Sequence, residues 1–340
     1  MIESRYHWLV APGKIEWACK EIDPGKLAPG EVCCRSLYSA ISPGTELAAF
    51  DGLEPLRPNI AMFPRWLGYL NVSEVVAAGR DAAAEFPAGT IVYTGAAHRT
   101  HFVVDQTKVL AKVPQQLDAA SATLAYLYRL ALVGLVRGRG KIVASNAVVG
   151  LGAIGQCALE LVKNAEAKCL GVSDHDGALA SARALGISVA KRSEAETNFG
   201  NLQPEQQLFE QVLVTTNSWR DWKIALSLAR FGGIISVIGF PGRGQPAPDF
   251  NPLSPSLFYD RQLTIASAGS ASFTLGEGRE SPTALPDDMK YILQLMLDGH
   301  INPERLVIDT HPARDLTGAY ARLKEPGRGA GTIVLDWNQT

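Results

Sequence analysis

The sequence predicts a two-part α/β chain in which a doubly wound parallel sheet is set inside a β-rich domain. Three observations carry this. Residues 1–118 hold short β-like runs between Pro and Gly clusters, and residues 119–269 alternate strand-like with helix-like segments. From about 270 the texture is mixed again and closes on a strand. The expected division is therefore 1–118 with 270–340 as one domain and 119–269 as the other.

Bulk properties narrow the class. The 340 residues are 46% hydrophobic, enough for two cores. A net charge of −2 offers no general attraction to nucleic acid or to an anionic membrane. Met1–Arg5 lacks an apolar signal region, and no run reaches the roughly 20 uninterrupted apolar residues that span a bilayer. A cytoplasmic location is expected. The five cysteines (Cys19, Cys33, Cys34, Cys157, Cys169) are scattered and contain no C-x-x-C pair, so neither a disulfide framework nor a cysteine zinc site is supported.

Taken in order, strands are expected at Glu31–Tyr38, Val72–Ala77, Thr90–Tyr93 and His101–Val104. Turns such as Pro24-Gly25, Pro29-Gly30, Pro43-Gly44 and Pro87-Ala88-Gly89 separate them, which fits a compact all-β or partly open barrel. Asp118 caps a helix running from Ala119 to Val136. Strands then fall at 142–149, 167–172, 211–215, 233–239 and 262–268, with helices at 156–164, 177–185 and 220–230. Pro241–Pro255 reads as a long loop past a strand end, where ligands bind in such sheets. A helix at Asp287–Leu297 and a strand at Thr332–Leu335 finish the chain.

The most informative stretch is Gly150-Leu151-Gly152-Ala153-Ile154-Gly155, a G-x-G-x-x-G between an apolar strand and a helix. Gly150 permits the tight turn, Gly152 lets a pyrophosphate approach the backbone, and Gly155 lets the helix lie close on its strand. Free N–H groups at the helix start, with the helix dipole, then face the phosphates. The alternative is a glycine-rich turn without a ligand. A second apolar segment, Ala167–Val172, leads into Ser173-Asp174-His175-Asp176. Ser173 stands about where the ribose-binding acid is expected and Asp174 follows; Ser173 accommodates a 2′-phosphate, whereas Asp174 and Asp176 repel one. With no Arg in the loop, NAD is favoured over NADP.

Together these parts resemble the medium-chain dehydrogenase/reductase superfamily across nearly the whole chain. The resemblance rests on Leu37–Glu46, Gly68-Tyr69-Leu70 leading into Val75-Val76, the glycine turn, and Ile238-Gly239-Phe240-Pro241. Ser42-Pro43-Gly44-Thr45-Glu46 and the ending Gly331–Trp337 are similar to the branch holding bacteriochlorophyllide-type dehydrogenases. The resemblance implies a GroES-like domain with an inserted Rossmann domain, an NAD(P) cofactor, a small-molecule substrate and a homodimer. Departures matter as much. Where zinc-dependent members carry a Cys ligand and a Gly-His-Glu run, this chain has Ser42 and Gly68-Tyr69-Leu70, and the lobe with four cysteines is missing. Zinc needs thiolate, imidazole or carboxylate donors, so a zinc-independent protein is expected. His98 and His101 read as surface or turn histidines.

For the chemistry, the resemblance implies that Ser42, Thr45 and Tyr69 line the cleft near the nicotinamide, with Tyr69 the first choice of proton or hydrogen-bond donor. A half-buried packing tyrosine is the alternative, and Ser-Pro-Gly-Thr also describes an ordinary tight turn. Glu46 reads as a structural hydrogen-bonding group. Tyr126 and Tyr128, two apart, cannot share one helix face. Thr215, Thr216 and Asn217 follow a strand, where the nucleotide crevice forms. Gly239 and Phe240 end the next strand and Ser267 and Ala268 the last, and the resemblance implies backbone contacts with the nicotinamide amide there; core packing is the alternative for Phe240 and Ala268. Phe63, Trp66, Phe258 and Tyr259, with Met62, are candidates to shape an apolar substrate pocket.

The expected function is hydride transfer between NAD(P) and a small or medium organic substrate. Loss of the metal's Lewis acidity tilts the expectation toward reducing an activated C=C or C=N bond. Alcohol oxidation or ketone reduction is the alternative within the class, and a catalytically silent nucleotide-binding protein the alternative outside it.

Overall fold

The structure is a computed structural model that describes residues 1–53, 63–137, 145–199, 209–269, 285–327 and 329–339. It contains two compact units, Met1–Tyr126 with Ala284–Arg328 and Thr332–Thr340, and Leu127–Thr283 with Gly329–Gly331.

The chain enters the first unit through β1 (Ile2–Ala11), β2 (Lys14–Ile22), β3 (Glu31–Ala40), α1 (Pro43–Phe50), β4 (Arg65–Trp66), β5 (Leu70–Ala78), β6 (Ile91–Thr94), β7 (His101–Asp105), β8 (Val109–Lys112) and α2 (Ala119–Ala122). It crosses on α3 (Ala125–Arg137) into β9 (Asn146–Val149), α4 (Ala153–Asn164), β10 (Cys169–Val172), α5 (Asp176–Ala184), β11 (Ser188–Ala190), α6 (Arg192–Phe199), β12 (Phe209–Val214), α7 (Trp219–Leu228), β13 (Ala229–Val237) and β14 (Thr264–Ser267). The return comprises α8 (Leu285–Leu297), β15 (Val307–Pro312), α9 (Leu316–Lys324) and β16 (Thr332–Asp336).

In the first unit one sheet runs β15-β16-β3-β5-β6-β8 with β7 on β3, and a smaller one runs β2-β1-β4. The late strand β16 lies antiparallel to β3, pairing Val334 with Ala40. The amino-terminal β material is thus completed by residues nearly 300 positions away. Leu9, Ile41, Leu67, Leu316, Tyr320, Ile333 and Trp337 form one of its cores.

The second unit is a six-stranded sheet, β11-β10-β9-β12-β13-β14, parallel at every pairing. Strands covered on both faces must be apolar throughout, and Val148, Val149, Val172, Val212 and Val214 are fully buried. The chain winds outward from β9 to β11 and then restarts at β12 on the other side of β9. A crevice therefore opens between the carboxyl ends of β9 and β12, the place where such sheets bind ligands. Val149, Val172, Val214, Val237 and Ser267 stand level across five strands, so the residues that follow them share one rim.

Local chemistry moved several boundaries. The single helix expected from Ala119 to Val136 is two, because the chain bends at Thr123, whose carbonyl accepts from the Tyr93 hydroxyl at 2.7 Å. Asp118 does cap the first of them, through the Ser121 N–H. Strand β11, α6 and β15 carry too few apolar residues to stand out by periodicity, whereas α9 does carry a helical stripe, Leu316, Ala319, Tyr320 and Leu323. Residues 142–144 of the expected strand lie outside the described residues. The stretch Ala119–Arg137 is long and apolar enough to cross a membrane, yet 83% of its most apolar window is buried inside the protein, where core packing accounts for its composition.

One core histidine makes stability depend on pH. His7 on β1 is buried, donates from Nε2 to the Ala313 carbonyl at 2.6 Å, and packs on Trp17. Burial pushes its imidazole down from 6.5 to about 4, against the opposing pull of the Ala313 bond. Between those values the unfolded chain binds a proton that the folded chain refuses, so stability is complete above 6.5 and is lost as pH falls toward 4. Urea unfolding at pH 7 and pH 5 is expected to show wild type losing about 2 kcal/mol more than His7→Gln.

Candidate functional site

The glycine turn sits on the rim of the second unit. Gly150 follows β9 with φ +96°, a conformation that suits glycine, and a Cβ there would lie 2.2 Å from Thr216 Cγ2. A Cβ on Gly155 would stand 2.0 Å from the Gly150 carbonyl, so this residue sets how closely α4 approaches its strand. Gly152 differs: a Cβ there would meet nothing within 4 Å, leaving open space over the turn. The helix begins earlier than its apolar pattern suggests, at Ala153 with Gly152 as N-cap, and its first closing bond is Gln156 N–H to the Gly152 carbonyl at 2.9 Å. Ala153, Ile154 and Gly155 therefore supply the first-turn N–H groups, which have no intrahelical acceptor. An anion-binding turn needs these features, and the residues fit a pyrophosphate.

Beside the turn, Thr215 Oγ1 donates to the Gly150 carbonyl at 2.7 Å, and Gly239 packs so closely on Thr216 that a Cβ would lie 1.9 Å from its carbonyl oxygen. Phe240 is 42% exposed; its N–H donates to Asn217 Oδ1 at 2.8 Å and the Arg243 guanidinium lies over its ring. Ser267 is exposed and ends the edge strand β14, three strands from β9.

At the end of β10, Ser173 is buried and its Oγ accepts from the His175 N–H at 3.1 Å. Asp174 does not stand alone as the sequence suggests. Oδ1 accepts from the Arg192 N–H at 3.0 Å, and Oδ2 lies 3.4 Å from Arg192 Nη1 and 3.3 Å from Arg220 Nη1. Desolvation pushes its carboxyl up, but the Arg192 amide and the two guanidiniums outweigh it and hold Asp174 below its ordinary value. The absence of Arg from the loop is thus corrected in space by two arginines 18 and 46 residues on. Arg192 also forks onto Asp221, which is fully buried and accepts from Thr216 Oγ1 at 2.6 Å. Polar contacts thus run from Thr216, next to the residue bonded to the glycine turn, through Asp221 and Arg192 to Asp174.

The first unit holds a different arrangement. Ser-Pro-Gly-Thr is the start of α1 and not a tight turn: Ser42 is its N-cap and Pro43 its first residue, the position proline favours. Serine at an N-cap ordinarily caps with its hydroxyl. Here the Ser42 side chain makes no cap bond; the Ser42 N–H donates to Glu46 Oε1 at 2.7 Å, and Ser42 Oγ accepts from the Tyr69 hydroxyl at 2.6 Å. Tyr69 is half-buried and meets Tyr126 edge to face. No hydrogen bond of the Thr45 hydroxyl is found among the described residues, and its main chain only closes the first turn of α1 onto the Ser42 carbonyl.

His98 corrects the sequence reading. It is fully buried, with Nε2 2.8 Å from Glu46 Oε2 and Nδ1 2.8 Å from Ser39 Oγ. Glu46 as a carboxylate only accepts, so Nε2–H donates to it and Nδ1 of the neutral ring is assigned as acceptor of the Ser39 hydroxyl, whose oxygen also accepts from Trp337 Nε1 at 2.8 Å. Tyr320 also donates to Glu46 Oε2, at 2.7 Å, and burial followed by the Glu46 charge pushes its phenol well above 10. Ser39, His98 and Glu46 stand in the order of a nucleophile, base and acid. Ser39 has no exposed surface, however, and the Trp337 bond holds its oxygen, so the line is a locked support.

Tyr126 and Tyr128 are both buried despite their spacing, because α3 is covered nearly all round; Tyr128 donates to Glu160. The aromatic candidates for a substrate pocket are divided between the two units. Trp66 packs with Tyr6, Trp8 and Arg99, Phe63 joins the first unit's core, Phe258 joins the second unit's, Tyr259 is 69% exposed, and Met62 lies outside the described residues.

This architecture recurs in solved structures. An alcohol dehydrogenase from Thermus sp. ATN1 is 20% identical, with 98% of this chain and 99% of that one covered at a TM-score of 0.76. A short chain alcohol dehydrogenase from Escherichia coli CFT073 in complex with NADH is 16% identical over 98% and 99%, with a TM-score of 0.78. A protein described as a zinc-binding dehydrogenase, from Sinorhizobium meliloti 1021 and bound to NADP, is 15% identical over 99% and 100%, with a TM-score of 0.77. The fold is that of the medium-chain dehydrogenases. No protein-family model matches the sequence, nor does any curated protein.

Zinc is the metal this fold commonly implies, and the donors here do not suit it. Ser42 and Tyr69 offer hydroxyls already bonded to each other, Leu70 offers nothing, and the Glu46 and His98 atoms are taken up by Ser42, Tyr320, Ser39 and one another. Among the described residues no group of three or more His, Cys, Asp or Glu stands together as a metal-holding set. Sequence reasoning missed His98, Tyr320, Arg192 and Arg220 because their partners are distant in the chain. A local signal did exist at Ser218-x-x-Asp221, the spacing of a capping box, where Ser218 Oγ accepts from the Asp221 N–H.

Asp221→Asn removes the buried charge that Arg192 and Thr216 share, while Arg192 keeps Asp174 as a partner. Chemical denaturation is expected to register a loss of about 1–3 kcal/mol.

Proposed function

We propose that this chain is a zinc-independent, NAD(P)-dependent oxidoreductase that interconverts a small alcohol and its carbonyl compound. The observation that carries the reading is the conjunction of a glycine turn fitted to a pyrophosphate with a phenol–hydroxyl pair, Tyr69 and Ser42, where a metal ligand set would otherwise stand.

A nicotinamide dinucleotide would be held by Gly150, Gly152 and the N–H groups of Ala153, Ile154 and Gly155. Asp174, beside Ser173, would accept from the adenosine ribose, and Thr215, Thr216, Gly239, Phe240 and Ser267 would border the remainder. Such a cofactor supplies or accepts the hydride when bound. Around Asp174 each cation is matched by carboxylates: Arg192 by Asp174 and Asp221, Arg220 by Asp174 and Glu196, and Lys191 by Asp176. That balance, with both guanidiniums already paired, disfavours a 2′-phosphate and supports NAD.

For the proton, Tyr69 gives its hydroxyl hydrogen to the substrate oxygen in the reducing direction and is left as a phenolate that solvent water reprotonates; in the oxidising direction the phenolate, formed by loss of its proton to solvent, takes the proton of the alcohol. Ser42 Oγ accepts from the same phenol and so holds the ring in a fixed direction between turnovers. Thr45, whose hydroxyl makes no bond among the described residues, serves as a further polar contact. The preference for conjugated C=C or C=N bonds drawn from the sequence rested on a missing Lewis acid. A phenol aimed at one oxygen supplies a hydrogen bond in its place, and alcohol dehydrogenases recur among the similar structures, so carbonyl chemistry is the better supported reading.

The test is reduction of NAD⁺ or NADP⁺, followed at 340 nm, with propan-2-ol, butane-2,3-diol and cyclohexanol, and the reverse with the ketones and with cyclohex-2-enone. Nucleotide binding without turnover on any of them would instead favour a catalytically silent binding protein. Gly152→Ala, whose methyl meets only open space, is expected to leave melting unchanged while weakening NADH at least about tenfold. Gly155→Ala should lower both, as read by thermal unfolding and NADH fluorescence titration. Tyr69→Phe should reduce kcat by about 10² with NADH affinity retained; an unchanged kcat removes Tyr69 from the chemistry.

A further inference from the structure

We propose that Glu46 is a positioning residue that fixes the direction of the Ser42–Tyr69 hydroxyl pair from beneath. The inference rests on the reading of Tyr69 as the proton donor and extends it to the groups that aim it.

Three observations converge on Glu46. First, its Oε1 takes the N–H of the N-cap residue Ser42, at 2.7 Å, from one position beyond the usual capping-box glutamate. This fixes the Ser42 main chain while its hydroxyl, spared from capping, is left to receive Tyr69. Secondly, Oε2 accepts from His98 and from Tyr320, which come from the segment before β7 and from α9, so the carboxylate is anchored to parts of the unit remote from α1. Thirdly, the same imidazole braces the other end of the pair. Gly68 has φ +85°, and a Cβ on it would lie 2.6 Å from the His98 ring, so the ring presses on the backbone that immediately precedes Tyr69. One cluster thus touches the main chain on both sides of a single hydroxyl–hydroxyl bond.

The cluster is suited to hold rather than to react. Glu46 is 2% exposed and His98 and Tyr320 have no exposed surface, so water does not compete for these bonds. A buried carboxylate is tolerated only while its donors stay in place, which makes the arrangement stiff. Positioning of this kind matters because a donor displaced by about 1 Å transfers its proton far less effectively.

Glu46→Gln tests the idea with little change of shape. Whichever way the amide faces, an NH₂ replaces an oxygen against a donor: the Ser42 N–H in one orientation, His98 Nε2–H and Tyr320 O–H in the other. Crystal structures of the wild type and the variant should show the Tyr69 Oη to Ser42 Oγ separation opening from 2.6 Å to beyond hydrogen-bond range. With butane-2,3-diol and NAD⁺, kcat should fall about tenfold with the NADH dissociation constant unchanged, and Glu46→Gln should cost nothing further in a Tyr69→Phe background. A folded variant that keeps the hydroxyl bond and wild-type kcat overturns the proposal, as does a full tenfold loss added on top of Tyr69→Phe. Should Gln fail to fold, Glu46→Asp serves: it keeps the charge but is one methylene short of spanning Ser42, His98 and Tyr320, and the same displacement is expected. If Tyr69→Phe leaves kcat unchanged, the donor reading fails, and the crystallographic separation still decides whether Glu46 positions the pair.

Discussion

A carboxylate sealed from water is the constraint around which the first unit is arranged. Glu46 remains in the core only because an amide, an imidazole and a phenol are brought to it, and each comes from a separate element. Meeting that demand brings α1, the segment before β7 and α9 together at one point. The demand also reaches outward. Ser39 completes the imidazole, and Trp337, just past β16, completes Ser39. The polar line therefore runs from α1 to the strand that closes the sheet, and none of the atoms named along it lacks a partner.

The second unit meets its constraint differently. Its strands are parallel and level, so the residues past their carboxyl ends gather on one rim without any side chain having to arrange them. What side chains add is charge placement. Asp221, buried without exposure, joins Thr216 near the glycine turn to Arg192, and Arg192 steadies Asp174. The two arginines fix the direction of the Asp174 carboxylate and offset part of its charge.

The turn and the sheet were legible in the sequence because their signals are local. Glycines at 150, 152 and 155 announce a backbone geometry, and runs such as Val212-Leu213-Val214 announce burial on two faces. The hydroxyl pair was legible in part: Ser42 and Tyr69 stand out as substitutions in a recognisable pattern, but nothing in the residues themselves says that their oxygens meet. His98 reads as a surface residue because a lone histidine in a turn usually is one. Its burial depends on Glu46, 52 positions earlier, and on the missing side chain of Gly68. The guanidiniums beside Asp174 escaped notice for the same reason, since they arrive with α6 and α7. The start of α1 was misread as a turn because Pro-Gly serves both, and the reach of Glu46 back to the N-cap decides between them.

The discontinuity of the first unit has a consequence for biogenesis. As the chain leaves the ribosome, Ser42, Tyr69 and His98 emerge early, but Tyr320 and the β16 strand follow only after all of residues 127–283. All six strands of the parallel sheet are therefore available while Glu46 still lacks its phenol donor and β3 a neighbour. Translation order makes the cluster around Glu46 the later of the two to mature, and a polypeptide truncated before α9 would retain the glycine turn while leaving Glu46 short of its phenol.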